Sequence, residues 1–293
     1  MSEHNGNDFA LFLGCTIPLR FPFIESASRK VLDALNIKIK DLPFGCCPDP
    51  NGVQSFHNDT WLVLAARNLC LAEEENLDIL TLCNGCFETL KVANFKLQNN
   101  EELRNRINKI LAEMGKEYRG IIRVHHIIQV LHEQRDQISK MIVRPLVDYR
   151  FVTHYGCHLL RPSEILQTDN PEHPIILDEL VQVLDGTTIP YLKKGICCGA
   201  GLYSIDYNTS LEIIREKMVE VNITRADAMV VTCPTCFRQY ESGQFLVRKD
   251  VGEYYGKNGK GIPIVYYTEL LAFALNYNMS DEFKQHHIKL PFQ

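Results

Sequence analysis

The sequence predicts an α/β protein built from two similar halves, each with a mainly parallel sheet and flanking helices. Segments typical of strands alternate with helical segments along the 293 residues, an order that favours parallel sheets covered by helices on both faces. The order of elements in the first half recurs in the second, with local sequence matches at an offset of 150 residues. Because such self-similarity indicates an internal duplication, we predict two Rossmann-like halves related by a pseudo-twofold axis, residues 1–145 and 146–293.

The first half is expected to contain four strands that alternate with helices. A continuous apolar run at its start predicts a buried strand that ends in Cys15. Asp59 is the expected N-cap of a helix rich in leucine and alanine. In order, we predict strands over 9–15, 37–39, 77–82 and 121–125, and helices over 25–36, 60–75, 101–114 and 127–138.

The second half repeats this order. Its first strand ends in Gly156-Cys157, as the first strand of the chain ends in Gly14-Cys15. The segment 81–87 aligns with 231–237, and each contains a Cys-x-x-Cys followed by phenylalanine. We predict strands over 151–157, 188–192, 228–232 and 262–267, and helices over 174–184, 211–221 and 268–275.

Ten of the eleven cysteines fall into two equivalent sets of five. In each set a lone cysteine comes first, an adjacent pair follows after 31 or 40 residues, and a Cys-x-x-Cys begins 36 or 35 residues beyond that pair. The first set is Cys15, Cys46, Cys47, Cys83 and Cys86, and the second set is Cys157, Cys197, Cys198, Cys233 and Cys236. The eleventh, Cys70, lies within a predicted helix among apolar neighbours, a position typical of a packed thiol.

Each set is expected to meet in one place, because open parallel sheets gather ligands beyond the carboxyl ends of their strands. Five thiols are one more than a tetrahedral zinc ion or an ordinary four-thiolate cluster requires. We therefore favour an iron–sulfur centre in each half. Zinc in one half, with one cysteine spare, is the main alternative. Thiols without metal and disulfide staples fit the repeated pattern poorly.

Composition and charge narrow the class of protein further. A net charge of −5 without any basic run argues against nucleic acid as the main partner. No apolar run reaches the roughly 18–20 residues needed to span a bilayer, and the polar start over 1–7 lacks the apolar region of a signal peptide. We therefore expect a cytoplasmic protein with no membrane segment, in which so many cysteines point to metal binding or redox chemistry rather than to structural disulfides.

The cysteine pattern resembles that of a known family. Cys-x30-Cys-Cys-x35-Cys-x2-Cys from Cys15 and Cys-x39-Cys-Cys-x34-Cys-x2-Cys from Cys157 are two copies of the CCG motif. With little else on the chain, they resemble the B subunit of heterodisulfide reductase from methanogenic archaea over residues 9–275. One departure is Pro48, which stands where the motif has glycine, so the surroundings of the first pair are expected to differ while its ligands are intact.

The resemblance implies both cofactors and substrate. In that family each motif carries a noncubane 4Fe-4S cluster held by all five cysteines, so two such clusters would face each other. The mixed disulfide of coenzyme M and coenzyme B binds between them and is reduced to two thiols by one-electron steps, in methanogenesis. This chain would thus be an oxidoreductase that acts on a sulfur group.

Partners also follow from the resemblance. The chain lacks Gly-x-Gly-x-x-Gly and a ferredoxin-type cysteine run, so its electrons are expected to come from other subunits. The family supplies a ferredoxin-like C subunit plus a flavin-bearing A subunit, with hydrogenase or formate dehydrogenase upstream in an electron-bifurcating complex. Two alternatives stay open: another substrate, as in thiol:fumarate reductase or sulfur oxidation, and a non-catalytic electron-transfer subunit of a dehydrogenase.

Residues other than cysteine are candidate substrate contacts. Both coenzymes are anionic, and basic side chains beside the cysteines could bind them. Either of two histidines that bracket Cys157 could donate to a cluster sulfur or to a leaving thiolate. A structural role is the alternative for each of these candidates: Arg20, Arg161, Lys193, Lys194, His154 and His158.

Overall fold

A computed structural model describes residues 8–49, 52–251, 256–257 and 259–292 of the chain. The polar start over 1–7 and part of the predicted 48–52 loop lie outside the described residues. The strands are β1 (Asp8–Phe12), β2 (Lys38–Asp41), β3 (Asp78–Thr81), β4 (Val124–His126), β5 (Arg150–His154), β6 (Thr187–Thr188), β7 (Ala228–Val231) and β8 (Ile264–Tyr266).

Helices occupy most of the remaining chain. Those of the first half are α1 (Thr16–Arg20), α2 (Pro22–Ala34), α3 (Val53–Phe56), α4 (Asn58–Glu74), α5 (Asn84–Asn99), α6 (Glu101–Ala112), α7 (Ile127–Glu133) and α8 (Arg135–Met141). Those of the second half are α9 (Cys157–Leu160), α10 (Ser163–Leu166), α11 (Ile176–Val183), α12 (Tyr207–Thr224), α13 (Pro234–Leu246), α14 (Arg248–Val251), α15 (Tyr267–Ala274) and α16 (Ser280–Phe283). A 3₁₀ turn covers Ala200–Leu202.

The predicted fold class is confirmed. The strands form two four-stranded sheets in the orders β2-β1-β3-β4 and β6-β5-β7-β8, and every pair is parallel. The register is equivalent in the two halves, because Phe12 at the end of β1 faces Thr81 and His154 at the end of β5 faces Val231. The carboxyl ends of the central strands, where the cysteines follow, therefore lie at one edge of each sheet.

Burial explains why the sequences of the central strands are continuous apolar runs. All four residues of β3 and of β7 are buried, as expected for parallel strands covered on both faces. The edge strand β2 is largely exposed and alternates lysine with isoleucine. Cys70 lies on α4 with 1% of its surface exposed, and burial raises its pKa to about 12, so it packs in the core as expected.

Helices of each half pack on helices of the other half. Helix α15 of the second half packs on α2 of the first, where Ser28 Oγ lies 2.9 Å from Thr268 Oγ1 in the buried contact. The reciprocal helix α7 of the first half packs on α11 of the second, where His132 Nε2 lies 2.6 Å from Glu179 Oε2. A boundary at residue 145 stays a prediction, and the exchange of helices fixes the two sheets relative to each other.

Several local predictions were wrong. The helix predicted over 127–138 is broken at Gln134 into α7 and α8, and the strands predicted to end in Cys15 and Cys157 end at Phe12 and His154. Two further differences have identifiable reasons. The N-cap of α4 is His57, whose ring nitrogen accepts from the Thr60 amide at 3.1 Å; Asp59 lies in the first turn instead. The strand predicted over 188–192 is only Thr187–Thr188, because Pro190 has no amide hydrogen with which to continue the ladder.

Candidate functional site

The Cys-x-x-Cys segments stand where strands meet helix N-termini. Cys83 is the N-cap of α5 and Cys233 is the N-cap of α13, with the same extended backbone. Hydrogen bonds from the Cys236 thiol, and then from the Cys83 thiol and the Thr235 and Cys236 amides, hold the pKa of Cys233 well below its ordinary value. A helix N-terminus is suited to thiolate charge because its unpaired amides and its dipole both favour an anion.

The lone cysteines and the adjacent pairs approach from other strand ends. Cys15 precedes α1 and Cys157 begins α9, each three residues after the end of a central strand. The adjacent pairs lie in loops that follow the edge strands β2 and β6. Of the ten residues, Cys15, Cys46 and Cys197 are exposed, Cys157 is half-buried, and the others are buried.

Each set of five cysteines lines its own cavity. A cavity of about 460 Å³ is lined by all five cysteines of the first set, and a cavity of about 500 Å³ is lined by all five of the second. We call them the first and the second cavity. They share wall residues, among them Gly85, Gly201, Ile205 and Thr235, so the two cavities adjoin.

The thiols form a continuous series of contacts across both sets. Each thiol in this series hydrogen-bonds with the next one. In order, the series is Cys15, Cys46, Cys47, Cys86, Cys83, Cys233, Cys236, Cys198, Cys197 and Cys157. The central contact joins the sets, with Cys83 Sγ 3.9 Å from Cys233 Sγ. At one end, Cys157 Sγ lies 3.7 Å from Cys197 Sγ. The series is symmetric about the central contact, as expected of a duplicated site.

Hydrogen bonding lowers the pKa of one cysteine in each adjacent pair. Hydrogen bonds from Cys46 and Cys86 lower the pKa of Cys47 to about 4. Those from Cys157 and Cys198, together with the Gly199 amide, lower the pKa of Cys197 to about 2. The thiolate is the form of cysteine that binds metal.

The donors and the space fit a thiolate-bound cluster. Gly14 and Gly156 have φ of +67° and +77°, and a Cβ on them would lie 2.7 Å from Cys86 Sγ and 3.3 Å from Cys236 Sγ. Only glycine leaves room for these sulfurs in that conformation. Within the described ranges, no group of three or more His, Cys, Asp or Glu side chains is arranged as a site for a single metal ion.

A polar clamp joins the two Cys-x-x-Cys segments. Tyr266 Oη, at the end of β8, donates to Thr232 O at 2.7 Å and also to Leu82 O, the carbonyls directly before Cys233 and Cys83. Asn84 Nδ2 donates to Tyr155 O at 2.5 Å. The relative position of the sets is thus fixed by buried bonds between the halves.

The structure places the predicted basic residues outside the linings of both cavities. Lys193 pairs with Glu216 at 3.0 Å, and Lys194 pairs with Asp178. Arg161 pairs with Glu172 at 3.0 Å. Arg20 ends α1 and is exposed. Their contact with substrate stays a prediction.

The two predicted histidines differ in position. His158 lines the second cavity and its Nδ1 lies 3.6 Å from Glu88 Oε2, a carboxylate of the other half. Glu88 raises the pKa of His158 against the effect of burial. His154 is buried and lines neither cavity, and its Nε2 has no hydrogen-bond partner in the described part of the chain.

Arg238 was missed from the sequence. It lies on α13 two residues after Cys236, lines the first cavity, and is exposed. Its guanidinium stands over the Tyr203 ring at 5.5 Å. The signal that could have found it is the repeat alignment, which puts Arg238 opposite Glu88 and thus reverses a charge between the copies.

Comparisons with known proteins agree with the geometry. The cysteine-rich domain family, CCG, matches residues 9–91 and 151–241. The B subunit of a ferredoxin/F420H2-dependent CoB-CoM heterodisulfide reductase from Methanosarcina acetivorans is 38% identical over 92% of this chain and 89% of its own. A protein from Archaeoglobus profundus, described as like the B subunit of heterodisulfide reductase, is 34% identical over 92% of this chain and 91% of its own.

A solved structure shares the fold. The crystal structure of a hypothetical protein from Helicobacter pylori matches with a TM-score of 0.75 and 15% identity, over 99% of this chain and 53% of that one. At this identity the likeness concerns the fold alone. Among the described residues, no helix has the length and apolar character required to cross a bilayer.

Proposed function

The chain belongs to the cysteine-rich CCG-domain family, with B subunits of heterodisulfide reductases among its relatives, and on that premise we propose that it is the catalytic iron–sulfur subunit of a heterodisulfide reductase complex. Its substrate is the mixed disulfide of coenzyme M and coenzyme B. The observation that carries the proposal is the arrangement of the cavities: each is lined by one complete set of five cysteines, and the two adjoin.

All ten cysteines of the two sets are proposed as cluster ligands, one noncubane 4Fe-4S cluster to each cavity. When bound, the clusters would supply electrons one at a time. The chain's own contribution is to hold two such groups side by side, since the Cys83 and Cys233 sulfurs are 3.9 Å apart. The clamp formed by Tyr266 fixes this separation.

The proposed reaction breaks one S–S bond. Two electrons and two protons enter, and each sulfur of the disulfide leaves as a thiol. A substrate in the adjoining cavities can reach both sets of cysteines at once, because Thr235 and Ile205 belong to both walls. Two adjoining sites suit this reaction because each can deliver one of the two electrons that cleave the S–S bond.

Arg238 is proposed to bind an anionic group of the substrate. It is a cationic residue in the lining of the first cavity, whereas Leu202 and Ile213 line only the second. An arginine in this place can form charge-assisted hydrogen bonds with sulfonate, phosphate or carboxylate oxygens. The difference between the cavities would orient an unsymmetrical disulfide.

Electrons are proposed to arrive from a ferredoxin-like C subunit plus a flavin-bearing A subunit, with a hydrogenase or formate dehydrogenase upstream. The relative from Methanosarcina acetivorans is a subunit of a heterodisulfide reductase, which supports a multi-subunit assembly. The cytoplasmic location stays a prediction.

Anaerobic purification followed by iron and zinc analysis tests the proposal. We expect about eight irons per chain, four for each cluster, and reduction of the heterodisulfide with an artificial electron donor. Four irons with one zinc per chain would mean that one of the two sites holds a structural zinc ion. A chain that contains both clusters but does not reduce the heterodisulfide would contradict the substrate assignment.

The matched control for the ligand assignment is the eleventh cysteine. Cys198→Ala should lower the iron content and abolish activity, because Cys198 lines the second cavity. Cys70→Ala changes a buried thiol of the same kind that lines neither cavity. It should therefore leave the iron content unchanged, and equal losses in the two variants would contradict the assignment.

A further inference from the structure

The two cavities follow one plan, yet the groups that surround them are not equivalent. At three corresponding positions the second half has a backbone amide, a buried lysine and a histidine, where the first half has a proline, a neutral amide side chain and a phenylalanine. The Gly199 amide donates to a cysteine of the second set, and Lys217 and His154 interact electrostatically with cysteines of that set, so the difference acts on whatever that set binds.

The first difference is the residue that follows each adjacent cysteine pair. Gly199 has φ of +78°, and its amide donates to Cys197 Sγ at 3.4 Å. The corresponding Pro48 has no amide hydrogen, and its carbonyl accepts from Thr89 Oγ1 at 3.3 Å. The first set therefore lacks an N–H···S bond that the second set has.

The second difference is the side chain that anchors the loop before each pair. In the first half the anchor is Asn68 on α4, which accepts from Gly45 N at 2.9 Å and donates to Cys46 O at 3.0 Å. In the second half it is Lys217 on α12, a fully buried lysine that donates to Lys194 O at 3.0 Å and also to Lys193 O. A neutral amide thus corresponds to a buried ammonium.

The hydrogen-bond partners of Lys217 and the nearby cysteines favour its charged form, whereas burial and Lys194 oppose it. Besides the two carbonyls, its Nζ lies 3.3 Å from Tyr191 Oη and 3.4 Å from His154 Nδ1, both of which can accept. Burial lowers the pKa of Lys217 to about 7, whereas Cys236, Cys198 and Cys197 act to raise it. A negatively charged group held by those cysteines would therefore favour the ammonium.

The third difference stands three residues before each lone cysteine. The first half has Phe12, which packs against Phe44 with ring centroids 4.9 Å apart. The second half has His154, whose ring packs edge-on against Tyr240 at 4.9 Å. Since its Nδ1 faces the Lys217 ammonium, Nε2 carries the proton of the neutral ring. That buried N–H has no protein partner in the described residues.

On the basis of the proposed function, we propose that the cluster held by the second set has the higher reduction potential, so the first electron to enter the chain resides there. Hydrogen bonds to sulfur and nearby positive charge stabilise the more negative, reduced form. Among the described residues, the cation in the first cavity's lining is Arg238, which is exposed and screened by water and salt. Lys217 is buried, where charges interact more strongly.

The test is a redox titration of the iron-loaded full chain, followed by EPR, with Cys15→Ser and Cys157→Ser used to assign each signal to its set. In the unaltered chain, the second-set signal should appear at the higher potential. Lys217→Gln should shift that signal to lower potential and leave the first-set signal in place, whereas Lys217→Arg should retain the original value.

A second variant tests the same idea from the other half and does not disturb the buried lysine. Pro48→Gly restores an amide hydrogen after the first pair and should raise the first-set potential. Equal potentials in the unaltered chain, or a first set that is reduced before the second, would overturn the inference while leaving the proposed function intact. A chain that binds no iron would overturn both.

Discussion

Gly14→Ala offers a direct test of the first cluster site, because the new methyl group would press on a proposed ligand. Gly14 has φ of +67°, and an added Cβ would lie 2.7 Å from Cys86 Sγ. Real Cβ–sulfur contacts are about 1 Å longer, so Cys86 or the backbone must move. Gly115→Ala is the matched control, since Gly115 also has φ of +67° but has no atom within 4 Å of the added Cβ.

The expected loss in the free energy of unfolding has two contributions. A left-handed backbone costs an alanine about 1–2 kcal/mol relative to glycine, and this part is common to both variants. Overpacking against Cys86 adds about 1–3 kcal/mol in Gly14→Ala alone. We therefore expect the free energy of unfolding to fall by about 2–5 kcal/mol for Gly14→Ala and by about 1–2 kcal/mol for Gly115→Ala.

Iron content and EPR distinguish a displaced ligand from general destabilisation. Gly14→Ala should lose the first-set signal, about half of the iron, and keep the second-set signal. Gly115→Ala should keep both. The reasoning would be refuted if Gly14→Ala bound the full complement of iron with an unchanged first-set signal, or if both variants lost iron equally.

Three further predictions concern other contacts. Tyr266→Phe should lower the free energy of unfolding by about 1–3 kcal/mol and alter the spin–spin interaction between the two proposed clusters. The control Tyr267→Phe removes a buried hydrogen bond to Leu180 O and should change stability alone. An unaltered spin–spin interaction in Tyr266→Phe would contradict the role of Tyr266 as a clamp. Arg238→Gln should raise KM for the heterodisulfide about fivefold, as expected for loss of an exposed ionic contact, with partial recovery in Arg238→Lys; an unchanged KM would exclude the contact. Glu73→Gln should lower the free energy of unfolding by about 2 kcal/mol, because the buried carboxylate accepts hydrogen bonds from three backbone amides. The control Glu74→Gln changes an exposed carboxylate and should alter the free energy of unfolding by under about 0.5 kcal/mol. Equal effects in the two variants would contradict a stabilising role for the Glu73 carboxylate.

The fold and the gathering of the cysteines could be predicted because both depend on local signals. Apolar runs that end in Cys83 and Cys233 mark buried parallel strands, and the carboxyl ends of such strands are known to collect ligands. The repetition of the pattern removed the ambiguity that a single Cys-x-x-Cys carries. The sequence also placed Pro48 as the point at which the two pairs differ, and the missing N–H···S bond is the physical form of that difference.

The residues around the cysteines could not be predicted in the same way, because their positions depend on how distant elements pack. Lys193 and Lys194 lie close to Cys197 along the chain, yet their side chains form ion pairs with Glu216 and Asp178 and do not line a cavity. Arg238 reaches the first cavity from a helix of the second half. No local pattern shows which face of a helix meets the other half.

Duplication and divergence act on different parts of this site. The positions of the cysteines are nearly equivalent in the two halves, as expected if each of them is a ligand of the proposed clusters. The residues behind them are free to differ, and Asn68 and Lys217 perform the same anchoring of a loop with different charge. Two identical sites would attract the first electron equally, whereas a buried ammonium beside one of them gives the electrons an order. An ordered pair suits a substrate whose two sulfurs belong to different coenzymes, because each sulfur can then meet a site with its own potential.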